Sequence, residues 1–280
     1  MKKHQKKIFN YGSDEQQYAE LYKAKYSKNV PLVIVIHGGY WKDNHSLNSY
    51  PTNAIVDYLQ NFNVAIWNLE YRRMDSMGEN KKAPWPAIFV DIANGIDFLK
   101  SIADVESINL KRILLIGHSA GGHLATWAAS RKNIAKDSEL FQKNPLLIQK
   151  VISISGILNL YGKNDLDQPI QIERLMGGSA EAKPCRYLAC DPSSLYSSDI
   201  NLTLIHGQLD RCVSIAQIYH YAAKAKKNCQ VEKFIMPNAD HFSMLPHEGK
   251  WQEEEWQPLT LKMHEENGDS IAWEAKVRTR

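Results

Sequence analysis

Six short runs of apolar residues, none alternating with polar ones, recur along the chain and constrain its architecture more than any other feature. They fall at residues 32–36, 64–69, 112–116, 150–154, 202–205 and 231–235. Strands buried on both faces look like this, because each side chain meets apolar neighbours whichever way it points. Helical patterns fill the gaps. Residues 87–102 place Ile88, Ile92, Ile96 and Leu99 at three- and four-residue intervals, with Pro84 and Pro86 just ahead as start signals. Residues 120–130 are small and apolar, as a helix against a sheet should be, and 215–226 link the fifth and sixth runs. Strands alternating with helices predict an α/β fold whose central sheet is mostly parallel and flanked by helices.

Three stretches fall outside that rhythm. Residues 157–199 carry Gly162, Pro169, Gly177, Gly178, Pro184 and Pro192 among short apolar runs. They are expected to form a lid or cap insertion over the strand ends, with a short helix or two. Residues 251–264 read as an amphipathic terminal helix, and 268–280 carry no pattern that assigns them. At the start, Lys2, Lys3, Lys6 and Lys7 precede a polar stretch instead of the apolar run that a signal peptide needs, so a solvated tail is expected.

With 280 residues, the expectation is one domain spanning the chain, with the insertion as its only elaboration. The net charge of +3 is too small to imply a nucleic-acid partner, and no apolar stretch is long enough for a membrane span. Without an export signal the expected location is cytoplasmic, with Cys185, Cys190, Cys212 and Cys229 reduced. Their spacing lacks the paired clusters of a structural zinc site, so neither metal nor cofactor is expected. The expected partner is a small-molecule substrate; homo-oligomerisation leaves no readable signal.

Gly117-His118-Ser119-Ala120-Gly121 reads G-x-S-x-G. Composition alone produces that pattern in roughly one chain in ten of this length, so position carries the argument. A strand enters at Gly117 and a small-residue helix leaves at Ala120, the strand-turn-helix setting of a nucleophile elbow. His37-Gly38-Gly39-Tyr40-Trp41 follows the first strand run. Acyl transfer builds negative charge on an oxygen, and backbone N–H groups of Gly38, Gly39 and Tyr40, with that of Ala120, are candidates to hold it. For the base and its acid, the order nucleophile, acid, histidine selects Asp210, after the fifth run, and His241, after the sixth. Asp240 and Asp199 are rival acids and His247 is a rival base. His37 and His206 are expected to tie loops, and His118 and His123 to pack beside the elbow. Tyr40, Trp41 and Tyr71 are candidate walls of a substrate pocket, with an ordinary core role as the alternative for Trp41 and Tyr71.

These segments resemble the kynurenine formamidases (arylformamidases) and related esterases of the α/β-hydrolase superfamily. The likeness rests on the HGGYW segment at 37–41, on 117–125 around Ser119, and on Asn68-Leu69-Glu70-Tyr71-Arg72-Arg73, and it runs from about Pro31 to His247. It implies a cofactor-independent serine hydrolase cleaving N-formyl-L-kynurenine. Ser119, Asp210 and His241 would be the triad, with Gly38, Gly39 and Ala120 at the oxyanion hole. The alternatives are a small-chain carboxylesterase and a catalytically silent member of the fold that binds a ligand.

Overall fold

The computed structural model describes residues 4–24, 28–76, 82–161, 169–196, 199–225, 230–246, 260–266 and 270–276. All six apolar runs are strands. They are β3 (Val30–Ile36), β4 (Ala65–Leu69), β5 (Ile108–His118), β6 (Lys150–Ile154), β7 (Asn201–Gly207) and β8 (Gln230–Met236). Two further strands precede them, β1 (His4–Asn10) and β2 (Tyr18–Ala24). The eight form one sheet in the order β1-β2-β4-β3-β5-β6-β7-β8. From β4 to β8 every pairing is parallel, whereas β2 runs antiparallel to both β1 and β4. This is the α/β-hydrolase fold. Every residue of β3 and β4 is buried, which is why their sequences lack alternation.

The N-terminal lysines correct the expectation of a solvated tail, since residues 4–10 are a paired strand. Phe9 packs on Trp67 with ring centroids 5.8 Å apart. Lys6 reaches Glu20 and Lys7 reaches Glu106, each at 2.8 Å. A charged outermost strand protects the sheet edge from pairing with other chains. Antiparallel pairing to β2 and a single apolar contact hold it, and neither leaves a strong hydrophobic pattern.

The helices are α1 (Asn53–Leu59), α2 (Ala87–Asp97), α3 (Leu99–Glu106), α4 (Ala120–Ser130), α5 (Pro169–Met176), α6 (Pro184–Cys190), α7 (Pro192–Leu195) and α8 (Ala216–Ala225). The helix expected over 87–102 is two consecutive helices, interrupted for one residue at Phe98, whose backbone stays helical. α4 is buried along its whole length, as its small residues allow. The segment 157–199 contributes α5, α6 and α7. It is tied to α4 by Trp127 Nε1–H donating to the Ala189 carbonyl (2.9 Å) and by a bond from His123 Nε2 to the Cys190 carbonyl (3.0 Å).

The terminal helix expected over 251–264 is corrected in part. Residues 260–266 form strand β9 (Thr260–Glu266), paired antiparallel with β10 (Ser270–Lys276), which occupies part of the unassigned 268–280. Residues 251–259 lie outside the described residues. Alternating residues such as Leu261, Met263 and Trp273 suit a two-faced hairpin, so a period of two was present in the sequence where a helical one was read. Among the described residues no helix is long and apolar enough to cross a membrane.

Candidate active site

Parallel pairing aligns the carboxyl ends of β3, β5, β6, β7 and β8, and the nucleophile, acid, base and oxyanion-loop candidates each lie just beyond one of them. Ile36 is registered against Gly117, so the 37–41 loop and the Ser119 turn leave neighbouring strands side by side. Likewise His118 is registered against Ile154, and Gly207 against Met236. Ser119, Ser155, Asp210 and His241 thereby converge on one edge, where open α/β sheets build their sites.

Ser119 has φ 57° and ψ −122°, a backbone conformation that L-residues adopt only under constraint. Packing supplies the constraint. A Cβ on Gly117 would lie 2.1 Å from the Gly121 carbonyl oxygen, and one on Gly121 would lie 2.2 Å from that of Ile36. Glycine at both positions lets β5 turn straight into α4 against β3. The Ser119 N–H donates to the Ile154 carbonyl at 2.8 Å, anchoring the turn to β6.

Asp210 is bonded to His241, from Nδ1–H to Oδ2 at 2.8 Å. The same oxygen accepts from the Ser155 hydroxyl at 2.7 Å, and Oδ1 accepts the backbone N–H groups of Cys212 and Val213, both at 2.9 Å. Burial works to raise the Asp210 pKa. The hydrogen bonds from His241, Val213 and Ser155 and the attraction of His241 together outweigh it, holding the carboxyl well below its usual range. An ionised carboxylate on Nδ1–H leaves Nε2 as the ring's acceptor. His206 is 3.5 Å from the same carboxylate but is bonded at Nε2 to the Val213 carbonyl (2.8 Å), tying the loop as expected.

Ser119 and His241 are joined through two residues that sequence reasoning did not single out as a pair. His118 Nε2–H donates to the His241 carbonyl at 2.7 Å, and Tyr50 O–H donates to His118 Nδ1 at 2.8 Å. Since the carbonyl only accepts, the His118 proton must be on Nε2, and Nδ1 is free to accept from Tyr50. The Tyr50 oxygen in turn hydrogen-bonds the Ser119 side chain. Burial, with the neighbouring His241, lowers the His118 pKa to about 3, consistent with this neutral ring.

The 37–41 loop is held by a buried carboxylate. Glu70, which is 1% exposed, accepts His37 Nε2–H, the Tyr71 N–H and the Leu47 N–H, each at 2.9 Å, and also pairs with Arg73. Burial alone would raise the Glu70 pKa, but the His37 and Arg73 contacts overcome it and bring it to about 2. Gly39, Tyr40 and Trp41 then run consecutively through positive φ (105°, 50° and 59°), a strained turn that the carboxylate beneath it supports. A Cβ on Gly38 would lie 2.6 Å from both the His118 carbonyl and the Tyr50 hydroxyl, so this loop packs directly on the elbow.

The aromatic candidates divide. Trp41 and Tyr71 are wholly buried. Trp41 meets His123 edge-on at 5.3 Å, while Tyr71 stacks on His37 at 4.5 Å and donates its hydroxyl to the His37 carbonyl. Both are core residues that brace the loop, which corrects their assignment to a pocket wall. Tyr40 is partly exposed and donates to the Cys212 carbonyl at 2.5 Å, bridging the 37–41 loop to the Asp210 loop. The exposed apolar residues beside the pair are instead Phe242, edge-on to His241 at 4.9 Å, and Leu209 next to Asp210. Single exposed residues leave no periodic signal, so nothing in the sequence marked them.

Asp240 accepts the N–H groups of Phe242 and Ser243 and caps its own turn, and Asp199 pairs with Lys132 on the surface. Neither is placed as the partner of His241; His247 lies outside the described residues.

Comparison with known proteins adds the lineage. The BD-FAE family profile matches residues 20–224. The esterase LipQ of Mycobacterium tuberculosis is 24% identical over 222 residues, covering 76% of this chain and 50% of that protein. The kynurenine formamidase of Drosophila melanogaster is 22% identical over 240 residues, covering 84% and 74%. The chain therefore spans half the length of the first relative and about three quarters of the second. Among solved structures, esterase B from Lactobacillus rhamnosis superposes with a TM-score of 0.71 at 18% identity, covering 90% of this chain and 81% of that one. A truncated carbohydrate esterase from gut microbiota gives 0.68 at 21% identity, covering 86% and 90%.

Proposed function

Since the chain belongs to the BD-FAE family, within the α/β-hydrolase fold that esterases and formamidases share, we propose that it is a serine hydrolase acting on a small amide or ester through an acyl-enzyme. The observation that carries this reading is the 2.8 Å bond from His241 Nδ1 to a buried, ionised Asp210, beside a serine in a strained elbow. Ser119 Oγ attacks the substrate carbonyl carbon as its proton passes to His241 Nε2. Asp210 stabilises the imidazolium that forms. Backbone N–H groups of Gly38, Gly39, Tyr40 and Ala120 receive the oxyanion. The imidazolium protonates the leaving amine or alcohol, and water, deprotonated by the same histidine, releases the acid.

N-formyl-L-kynurenine is the best single substrate, supported by the formamidase relatives and by the apolar Phe242 and Leu209 at the rim, which suit an aryl group. A small-chain carboxylester is the second reading, favoured by the esterase relatives. The segment carrying α5, α6 and α7 serves as the lid, being tied to α4 just beyond Ser119. A cytoplasmic location fits the free thiols of Cys185, Cys190 and Cys212. Comparing kcat/KM on formylkynurenine with that on p-nitrophenyl acetate decides the substrate. A ratio well above one supports the formamidase reading, and a ratio below one moves the protein to the esterases.

A further inference from the structure

The Asp210 loop places a thiol beside the Asp210–His241 pair. One donor atom from each of Asp210, Cys212 and His241 lies within 4.8 Å of the other two. We infer that these three residues form a binding site for a thiophilic divalent cation of the Zn2+ type, and that its occupancy switches the hydrolase off. The second half rests on the reading of His241 as the base; the first does not.

The donor set is one thiolate, one imidazole and one carboxylate, which suits zinc-like ions and not Mg2+ or Ca2+. With Zn–N near 2.0 Å and Zn–S near 2.3 Å, ligand atoms of a tetrahedral site stand about 3.5 Å apart. Closing to that spacing from at most 4.8 Å requires a shift of about 1 Å. Cys212 is partly exposed, so an ion has an entry path and solvent can furnish the fourth ligand, while the Asp210 and His241 side chains are almost wholly buried. The Asp210 loop is already braced by Ser155, by two backbone N–H groups and by Tyr40 at the Cys212 carbonyl. Two ligands are therefore held in place before the metal arrives. A three-ligand set at positions 210, 212 and 241 has no CxxC-like spacing, which is why counting cysteines along the sequence did not disclose it.

Binding has a defined proton balance. The Cys212 thiol gives one proton to solvent. The ion takes Nδ1 of His241, the nitrogen that faces Asp210, so the ring proton moves to Nε2 and the lone pair that would accept the Ser119 proton is lost. One proton is released and no electron moves.

The test uses the full-length Ser119→Ala protein, which keeps all three ligands and turns over no substrate. Zn2+ is titrated calorimetrically in two buffers of different ionisation enthalpy, and Cys212→Ser in the same background is run beside it. One ion bound per chain with about one proton released, and affinity at least tenfold weaker in Cys212→Ser, is the expected result. Equal affinity in the two proteins, or Mg2+ binding as well as Zn2+, overturns the site. Activity of the otherwise wild-type chain is then measured with Zn2+ and after excess chelator. Reversible inhibition that Cys212→Ser relieves at least tenfold is expected, each protein being compared with its own metal-free rate. Zn2+ bound without inhibition contradicts the switch and the role of His241 while leaving the site; full inhibition of both proteins overturns the site.

Discussion

The imidazole of His118 donates to the backbone carbonyl of His241 across 2.7 Å, so the residue before the proposed nucleophile holds the main chain of the proposed base. Tyr50 completes the connection by donating to the other nitrogen of His118 while its oxygen hydrogen-bonds Ser119. Three elements far apart in sequence are fixed relative to one another by two buried polar side chains. Catalysis by a serine–histidine pair depends on such alignment, since a misplacement of about 1 Å can cost a hundredfold in rate.

Tyr50→Phe should therefore lower kcat by roughly 10- to 100-fold while leaving KM within about threefold, because it loosens alignment and not substrate contacts. His118→Asn should do the same, and the double variant should be little worse than either single one, since the two act as one unit. Steady-state kinetics on the best substrate checks this. Additive losses would place the two residues in separate roles.

The pH dependence of stability follows from buried neutral histidines. Burial lowers His118 to about 3 and His123 to about 4, from an ordinary 6.5. The unfolded chain takes up these protons below 6.5 and the folded chain does not, so stability falls as pH drops from 6.5 towards 3 or 4. Each histidine contributes a slope of about 1.4 kcal/mol per pH unit in that window. Glu70 adds a second window. Its folded value of about 2 lies below the ordinary 4.5, so its stabilisation is complete above 4.5 and is lost as pH falls towards 2. Urea unfolding at pH 7, 6, 5 and 4 measures the slope, and His123→Asn should flatten it by about one proton.

Glu70→Gln should destabilise the fold by on the order of 3 kcal/mol, because it leaves Arg73 without its buried counter-charge. It should also lower kcat, since the strained 39–41 turn loses its support. Denaturation midpoints and kcat should fall together; an unchanged midpoint would show that the carboxylate is not the anchor.

Gly121→Ala weighs two effects against each other. Alanine favours a helix over glycine by about 1 kcal/mol, but the new methyl would stand 2.2 Å from the Ile36 carbonyl, where backbone on both sides must move. The clash outweighs the propensity, and a net loss of about 2 kcal/mol or more is expected by chemical denaturation, with activity falling as the elbow is displaced.

The sequence was legible where burial is two-sided or glycine is sterically required. The strands β3 to β7, α4 and the Ser119 turn carry such constraints, whereas β8 is a largely exposed edge strand; Asp210 and His241 followed from their positions after β7 and β8. What was missed has other causes. β1 is an edge strand rich in lysine, held by ion pairs and one aromatic contact instead of a hydrophobic stripe. Tyr50 reaches His118 across 68 residues of sequence, and Glu70 reaches Leu47 and His37 across 23 and 33, and such contacts have no local signature. Trp41 and Tyr71 looked like pocket residues because they adjoin the loop, yet they support it from the buried side.

The catalytic roles of Ser119 and His241 are tested most directly by intact-protein and peptide mass spectrometry after treatment with a fluorophosphonate, on the wild-type chain and on His241→Ala. With Ser119 as nucleophile and His241 as its base, one adduct forms per wild-type chain, located on Ser119, and labelling slows at least about a hundredfold in His241→Ala. Labelling at another residue, or hydrolytic activity that persists while Ser119 stays unmodified, would contradict those roles.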